Sequence, residues 1–120
     1  FDKVKPAFFS GVNTLYDALL NSPEFAKLDF SGLKLCLQGG TALRRATAER
    51  WKAVTGKDVI EGYGLSETSA AITYNRWDAP NPVGSIGMAL GEVEITLRDE
   101  QGALVPLGEP VRAREPGTLP

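Results

Sequence analysis

Two short apolar stretches, each closed by glycine and separated by a segment rich in Ala, Arg, Lys and Glu, constrain the fold of this chain more than any other feature. The first is LKLCLQ, residues 33–38, in which Leu33, Leu35 and Leu37 alternate with Lys34, Cys36 and Gln38 before Gly39 and Gly40. Alternation over so short a run predicts a strand that enters a glycine turn. TALRRATAERWKAVTG follows. Its composition favours a helix, and Gly56 stands where a glycine just past a helix C-terminus belongs. Leu43, Ala46 and Val54 share one side of the helical wheel with Arg50 among them, so Arg50 is expected to snorkel or to find a buried partner. DVIEGYG then reads as a second strand over residues 59–61, again ending in glycine. Strand, glycine turn, helix and strand in that order are the grammar of a βαβ unit in a parallel sheet, and the fold class is α/β.

The flanks add two elements. Val12, Leu15, Tyr16, Leu19 and Leu20 recur at helical spacing, which predicts an amphipathic helix over GVNTLYDALLN with Ser10 as its N-cap. Asn21, Ser22 and Pro23 end it. Beyond Tyr74, NRWDAPNPVGS is rich in turn residues and reads as a surface loop. EVEITLR, residues 92–98, places Val93, Ile95 and Leu97 on one face, and DEQG before ALVPL supplies a tight turn, so a β-hairpin is expected there. The final EPVRAREPGTLP has no periodicity and three prolines, and is expected to be poorly ordered. The organisation is therefore an α/β part over residues 1–80, a hairpin part of the same domain over 81–110, and a divergent tail over 111–120.

Composition excludes several function classes. The chain has 120 residues, 42% of them hydrophobic, and a net charge of −2. That balance gives no electrostatic reason to expect nucleic acid as a partner. No apolar run approaches the length that spans a bilayer, and the opening FDKVKPAFFSG holds no apolar core of signal-peptide type. Cys36 is the single cysteine, so a reducing, cytoplasmic setting is expected. There is no histidine. Every Ser/His or Cys/His catalytic pair and most zinc sites are thereby removed.

Chemistry concentrates in EGYGLSETSA, residues 61–70. Glycines on both sides of Tyr63 give the backbone freedom and allow close approach by another molecule. In parallel α/β sheets ligands bind beyond the carboxyl ends of strands, so GGTAL and EGYGLSE would face one pocket. Tyr63 offers a flat face for a base, and Gly39, Gly40, Gly62 and Gly64 offer main-chain groups. Ser66 and Glu67 could hold phosphate oxygens and magnesium. A plainer reading stands beside each. Tyr63 could be a packed loop aromatic. Ser66, Glu67 and Thr68 could simply cap a following helix.

The segment EGYGLSETSA closely resembles the GYGxTE signature of the adenylate-forming enzymes, the superfamily of acyl-CoA synthetases, luciferases and peptide-synthetase adenylation domains. FFSGVNTLYDALLNSPEFAKLDFSGLKLCLQGGTAL, AERWKAVTGKDVIEGYGLSETS and NPVGSIGMAL resemble, in order and spacing, bacterial long-chain fatty-acid CoA ligases from about Phe8 to Pro110. The resemblance implies part of the large N-terminal domain of such an enzyme, with the hairpin belonging to its β subdomain. It implies activation of a fatty acid with ATP and Mg2+ to an acyl-adenylate, then transfer of the acyl group to coenzyme A. Small-molecule substrates are the implied partners, with room for peripheral contact at the inner face of the membrane in the whole enzyme.

By position, the resemblance puts Tyr63 against adenine, with Gly62 and Gly64 beside it through their main chain. Ser66 stands where the family usually has Thr and keeps the phosphate-facing hydroxyl, and Glu67 matches the magnesium-associated carboxylate. Gly39, Gly40 and Thr41 match the segment between the adenine and the acyl carboxylate. Gly11, Val12 and Thr14 match a helix that borders the acyl tunnel. The family's phosphate loop, ribose-binding aspartate and C-terminal lysine have no counterpart here, so an internal piece of a larger enzyme, inactive alone, is the expectation. The alternatives are a fatty-acyl-AMP ligase, a peptide-synthetase adenylation domain, or a nucleotide-binding module without turnover.

Overall fold

Six aromatic rings nucleate the core. In the computed structural model, which describes residues 1, 3–106, 108 and 110, Trp51 lies fully buried between Phe9, stacked at 5.6 Å, and Tyr16, edge-on at 4.6 Å. Phe25, Phe30 and Phe1 extend the cluster with centroid separations of 5.0 to 5.8 Å. Edge-to-face and offset rings of this kind add to the burial of their apolar area.

Three parallel strands carry this cluster. They are β1 (Phe8–Gly11), β2 (Leu35–Gln38) and β3 (Val59–Leu65), joined by α1 (Asn13–Leu20) and α2 (Arg45–Thr55). Two antiparallel strands, β4 (Ala70–Tyr74) and β5 (Met88–Ala89), complete a five-stranded mixed sheet in the order β1-β2-β3-β4-β5. The expected βαβ unit is β2-α2-β3, and a second one, β1-α1-β2, precedes it.

Several local expectations are corrected. Ser10 does not cap α1: it lies inside β1, and the helix starts after Val12 in extended conformation. Gly11 likewise belongs to the strand. In β2 it is Cys36 and Gln38 that are buried, while Leu35 and Leu37 face the other side of the sheet half-exposed. The buried Cys36 lies in the same cluster as Trp51 and Tyr16, on the side of the sheet that the helices cover. On α2 the buried residues are Thr47, Trp51 and Thr55, one turn apart; Ala46 and Arg50 are exposed. Arg50 therefore needs no buried partner. It donates at 3.1 Å to Leu20 O and to Asn21 Oδ1, tying α2 to the end of α1. Gly56 does end α2, at φ 72°. That left-handed conformation costs a side chain about 1–2 kcal/mol and glycine nothing.

The loop after Tyr74 is present as expected. At residues 92–106 the hairpin is short: Asp99 Oδ1 accepts from Gln101 N at 3.0 Å and Ala103 N at 2.8 Å, one antiparallel bridge joins Arg98 to Leu104, and backbone bonds run from Asp99 N to Ala103 O and from Val105 N to Leu97 O, each at 2.9 Å. Ile95 and Leu97 are exposed, so this ribbon has no core to lie against, and a two-stranded ribbon alone is barely stable in water. The tail 111–120 lies outside the described residues. No helix among the described residues is long and apolar enough to cross a membrane.

Candidate nucleotide-facing cleft

Register brings the sequence-predicted residues to one edge. Gly11 is level with Gln38, and Gln38 with Glu61, so the parallel pairing of the three strands ends at one height, beyond which β3 continues paired with β4 alone. Val12, Gly39 and Gly62 emerge there side by side. A cleft of about 370 Å³ opens at this edge, lined by Gly39 and Gly40 on one side and by Gly62, Tyr63, Gly64, Leu65 and Ser66 on the other, with Ala70, Ala71 and Tyr74 at its border. A cleft outside the carboxyl ends of parallel strands is where α/β sheets place their ligands. A larger hollow of about 500 Å³ lies at the opposite strand ends, among Lys34, Lys57 and Trp77, and holds none of the predicted residues.

The glycines divide into two kinds. Gly39 and Gly40 are open: a Cβ on Gly39 would meet only Gly62 O, at 3.7 Å, and one on Gly40 only Val12 Cγ1, at 3.7 Å. Gly40 also holds φ +81°, a conformation that L side chains rarely adopt. Gly62 and Gly64 are filled by the chain itself. A Cβ on Gly62 would fall 2.3 Å from two ring carbons of Tyr74, and one on Gly64 2.0 Å from Ala70 O. The freedom around Tyr63 is thus used by β4, which lies against β3 there with a bulge between Tyr63 and Gly64. Residues 62–65, expected as a turn, are strand.

Tyr63 lies in β3 and keeps 38% of its surface exposed, at the lining of the cleft. Ser66, Glu67 and Thr68 form a single 3-10 turn and not the start of an α-helix. Ser69 N donates to Ser66 O at 3.2 Å, and the Thr68 side chain braces the turn: its Oγ1 accepts from Leu65 N at 3.0 Å and lies 2.9 Å from the carbonyls of Leu65 and Ala70. Ser66 and Glu67 are exposed, and their side chains make no hydrogen bond or ion pair among the described residues. Ser69 and Ala70, at φ 58° and 95°, then turn the chain sharply into β4. Positive φ on two consecutive non-glycine residues is strain of the sort that gathers at binding loops.

Not every predicted residue lines the cleft. Thr41 is exposed just outside it, and its carbonyl accepts from the Gln38 amide. Glu67 sits beside Ser66 and projects from the turn. Thr14 is exposed in the first turn of α1, Gly11 packs on Leu15, and Val12 reaches the site only through Gly40.

Sequence reasoning passed over the buried polar residues that hold the walls. Glu61 is 4% exposed; its Oε1 accepts from Leu43 N at 2.7 Å and its Oε2 from Gly84 N at 3.1 Å. Asn13 Oδ1 accepts from Arg44 N at 2.9 Å, in place of a local side-chain cap for α2. Asn75 donates from its backbone N to Glu61 O at 3.0 Å and from Nδ2 to Ser85 O. A carboxylate ending an otherwise apolar strand, as in DVIE, was the available signal for the first of these.

Residues 1–119 match the AMP-binding enzyme family, and the chain belongs to it. Within that family of adenylate-forming ligases it is similar to bacterial proteins named long-chain-fatty-acid–CoA ligase. It is 48% identical to the Yersinia pestis protein over 101 residues, covering 84% of this chain and 18% of that one. With the Bacillus subtilis protein it shares 38% over 100 residues, covering 83% and 18%. Among solved structures, an anthranilate CoA ligase in complex with anthranoyl-AMP superposes with a TM-score of 0.80 at 35% identity, over 90% of this chain and 21% of that one. ATP-bound MatB from Rhodopseudomonas palustris superposes at 0.76 and 33%, over 88% and 21%. The chain thus spans about a fifth of the length of these relatives.

Proposed function

We infer that this chain supplies one wall of the nucleotide site of a long-chain-fatty-acid–CoA ligase, which activates a fatty acid with ATP to an acyl-adenylate and passes the acyl group to coenzyme A. The observation that carries this reading is the convergence of Gly39, Gly40, Tyr63 and Ser66 on one cleft at the carboxyl ends of β2 and β3, in a chain 48% identical to such a ligase. Tyr63 presents an unbonded ring face to the cleft and stacks on adenine, with the main chain of Gly62 and Gly64 beside it. The open surface at Gly39 and Gly40, continued by Thr41, takes the other side of the nucleotide. Ser66 offers its free hydroxyl to a phosphate oxygen. Gly11, Val12 and Thr14 border the acyl chain.

The residues fit a magnesium ion in a limited sense. Among the described residues no three acidic, histidine or cysteine side chains gather, and Glu67 is a single exposed carboxylate without an internal partner. Mg2+ is commonly held by one or two carboxylates, water and substrate phosphates, so one free carboxylate next to a phosphate-facing hydroxyl suits it. When bound, the ion would neutralise charge on the phosphates during attack of the carboxylate.

The test is ATP–pyrophosphate exchange with a long-chain fatty acid by the full-length protein that carries this chain. Glu67→Gln is expected to lower exchange by about two powers of ten or more with little change in melting temperature. Tyr63→Ala is expected to raise the KM for ATP while Tyr63→Phe stays near wild type, since stacking uses the ring and not the hydroxyl. Full activity of Glu67→Gln at limiting magnesium, or equal losses from both Tyr63 changes, would remove these assignments.

A further inference from the structure

We propose that Glu61 is a positioning residue: its buried carboxylate latches the two loops flanking the nucleotide cleft, so that the width of the cleft is set from inside the sheet. This rests on the functional reading above and adds to it a residue that contacts no substrate. Glu61 lies in the buried first half of β3, one residue before the cleft lining begins at Gly62. A carboxylate this deep needs compensation, yet no cationic side chain pairs with it among the described residues. It is compensated by two backbone amides, Leu43 N at 2.7 Å and Gly84 N at 3.1 Å, one on each oxygen. Hydrogen bonds to an ionised acceptor are about twice as strong as neutral ones, so each is a firm tether.

The two amides lie on separate loops. Leu43 closes the segment that begins with Gly39 and Gly40, which form one side of the cleft. Gly84 belongs to the loop that returns to β5, and three residues on that loop presses against the backbone of Tyr74, where a Cβ on Gly87 would fall 2.0 Å from the Tyr74 carbonyl carbon. Tyr74 borders the cleft from the other side and covers Gly62. The Glu61 main chain strengthens the same tie, since its carbonyl accepts from Asn75 N at 3.0 Å and from Asn75 Nδ2 at 3.3 Å. One residue thus holds both flanks through three of its oxygens.

Glutamine is the informative replacement. Its side chain has nearly the same shape but only one accepting oxygen, so one of the two amides must face an NH2 group. In the full-length protein, Glu61→Gln is expected to raise the KM for ATP about tenfold with kcat for exchange changed less than threefold, because the loosened loops bound the nucleotide and not the reacting atoms. Thr55→Ala is the control for simple destabilisation. It removes a buried hydroxyl that donates to Trp51 O at 2.8 Å and accepts from Lys57 N at 3.2 Å, away from the cleft. It is expected to lower the melting temperature without moving the KM for ATP. An unchanged KM in Glu61→Gln, or an equal rise in Thr55→Ala, would overturn the proposal.

Amide hydrogen exchange of the wild-type protein tests the latch independently of turnover and of whether Glu61→Gln folds. Leu43 N and Gly84 N, though both lie in loops, are expected to exchange as slowly as amides within β3, and fast exchange at either overturns the latch. If the full-length protein shows no fatty-acid-dependent pyrophosphate exchange, the functional reading fails, and slow or fast exchange at these two amides still decides for or against the latch.

Discussion

Gly62 and Gly39 look equivalent in the sequence, since each ends an apolar run, and they differ in what surrounds them. A methyl group at Gly62 would collide with the ring of Tyr74 at 2.3 Å and with Thr73 O at 2.9 Å, and β4 would have to move to admit it. Gly62→Ala is therefore expected to destabilise the fold by about 1–3 kcal/mol, the usual cost of overpacking. At Gly39 the nearest neighbour would be Gly62 O at 3.7 Å, an ordinary contact. Gly39→Ala should leave the melting temperature within a degree or two and instead raise the KM for ATP, because the added methyl group occupies the cleft and not the core. Thermal melts and exchange kinetics on the two full-length variants distinguish these roles. Equal loss of stability in both would show that Gly39 is also a packing glycine.

At the level of elements, α2 is positioned by one ring and ended by one glycine. Trp51 is fully buried against Phe9, Tyr16 and Phe25, and it fixes the distance of α2 from the sheet. Thr47, one turn earlier, donates to Asp17 Oδ1 at 2.8 Å and so joins α2 to α1. Trp51→Ala is expected to cost about 3–5 kcal/mol, enough to unfold a marginal domain. Gly56→Ala is milder. Nothing lies within 4 Å of its would-be Cβ, so the whole cost is the left-handed φ of 72°, about 1–2 kcal/mol. Thermal denaturation ranks the two, and a Gly56→Ala loss as large as that of Trp51→Ala would contradict the assignment of Gly56 to a free helix end.

For the whole molecule, the buried acids of the core predict an alkaline limit to stability. Burial pushes the Tyr16 hydroxyl above its ordinary value of 10.0, with the nearby Cys36 adding to the shift, and the hydroxyl donates to Leu37 O at 2.6 Å. Burial likewise pushes the Cys36 thiol above 9.0. Both groups keep their protons longer in the folded chain than in the unfolded one. Their contribution is complete below about pH 9 and is lost as pH rises, because the unfolded chain releases protons first, by up to about 1.4 kcal/mol per pH unit for each group. Melting temperatures from pH 8 to 11 should therefore fall with a steepening slope above pH 9. Tyr16→Phe should flatten the part above pH 10, and an unchanged slope in that variant would exclude Tyr16 as its source.

Local pattern was sufficient for the β2-α2-β3 order, for the glycine that ends α2, for the DEQG turn and for Ser66 at the exit of β3, because each depends on neighbours within a few residues; the continuation of β3 through Tyr63 needed its pairing with β4. The resemblance of EGYGLSETSA to a known signature likewise lies in contiguous residues. Tertiary structure decided what each side chain faces. β1 is four residues long and merges into the helical pattern after it, so only pairing with β2 reveals it. Which face of α2 is buried follows from the position of Phe9 and Tyr16, more than thirty residues away. The same holds for Gly62, whose missing side chain serves β4, and for Glu61, whose two partners lie 18 and 23 residues away in opposite directions along the chain. Periodicity reports which residues are alike. Burial and hydrogen bonding are set by surfaces that meet only after the sheet has formed, so the partners in those contacts cannot be read from neighbouring residues.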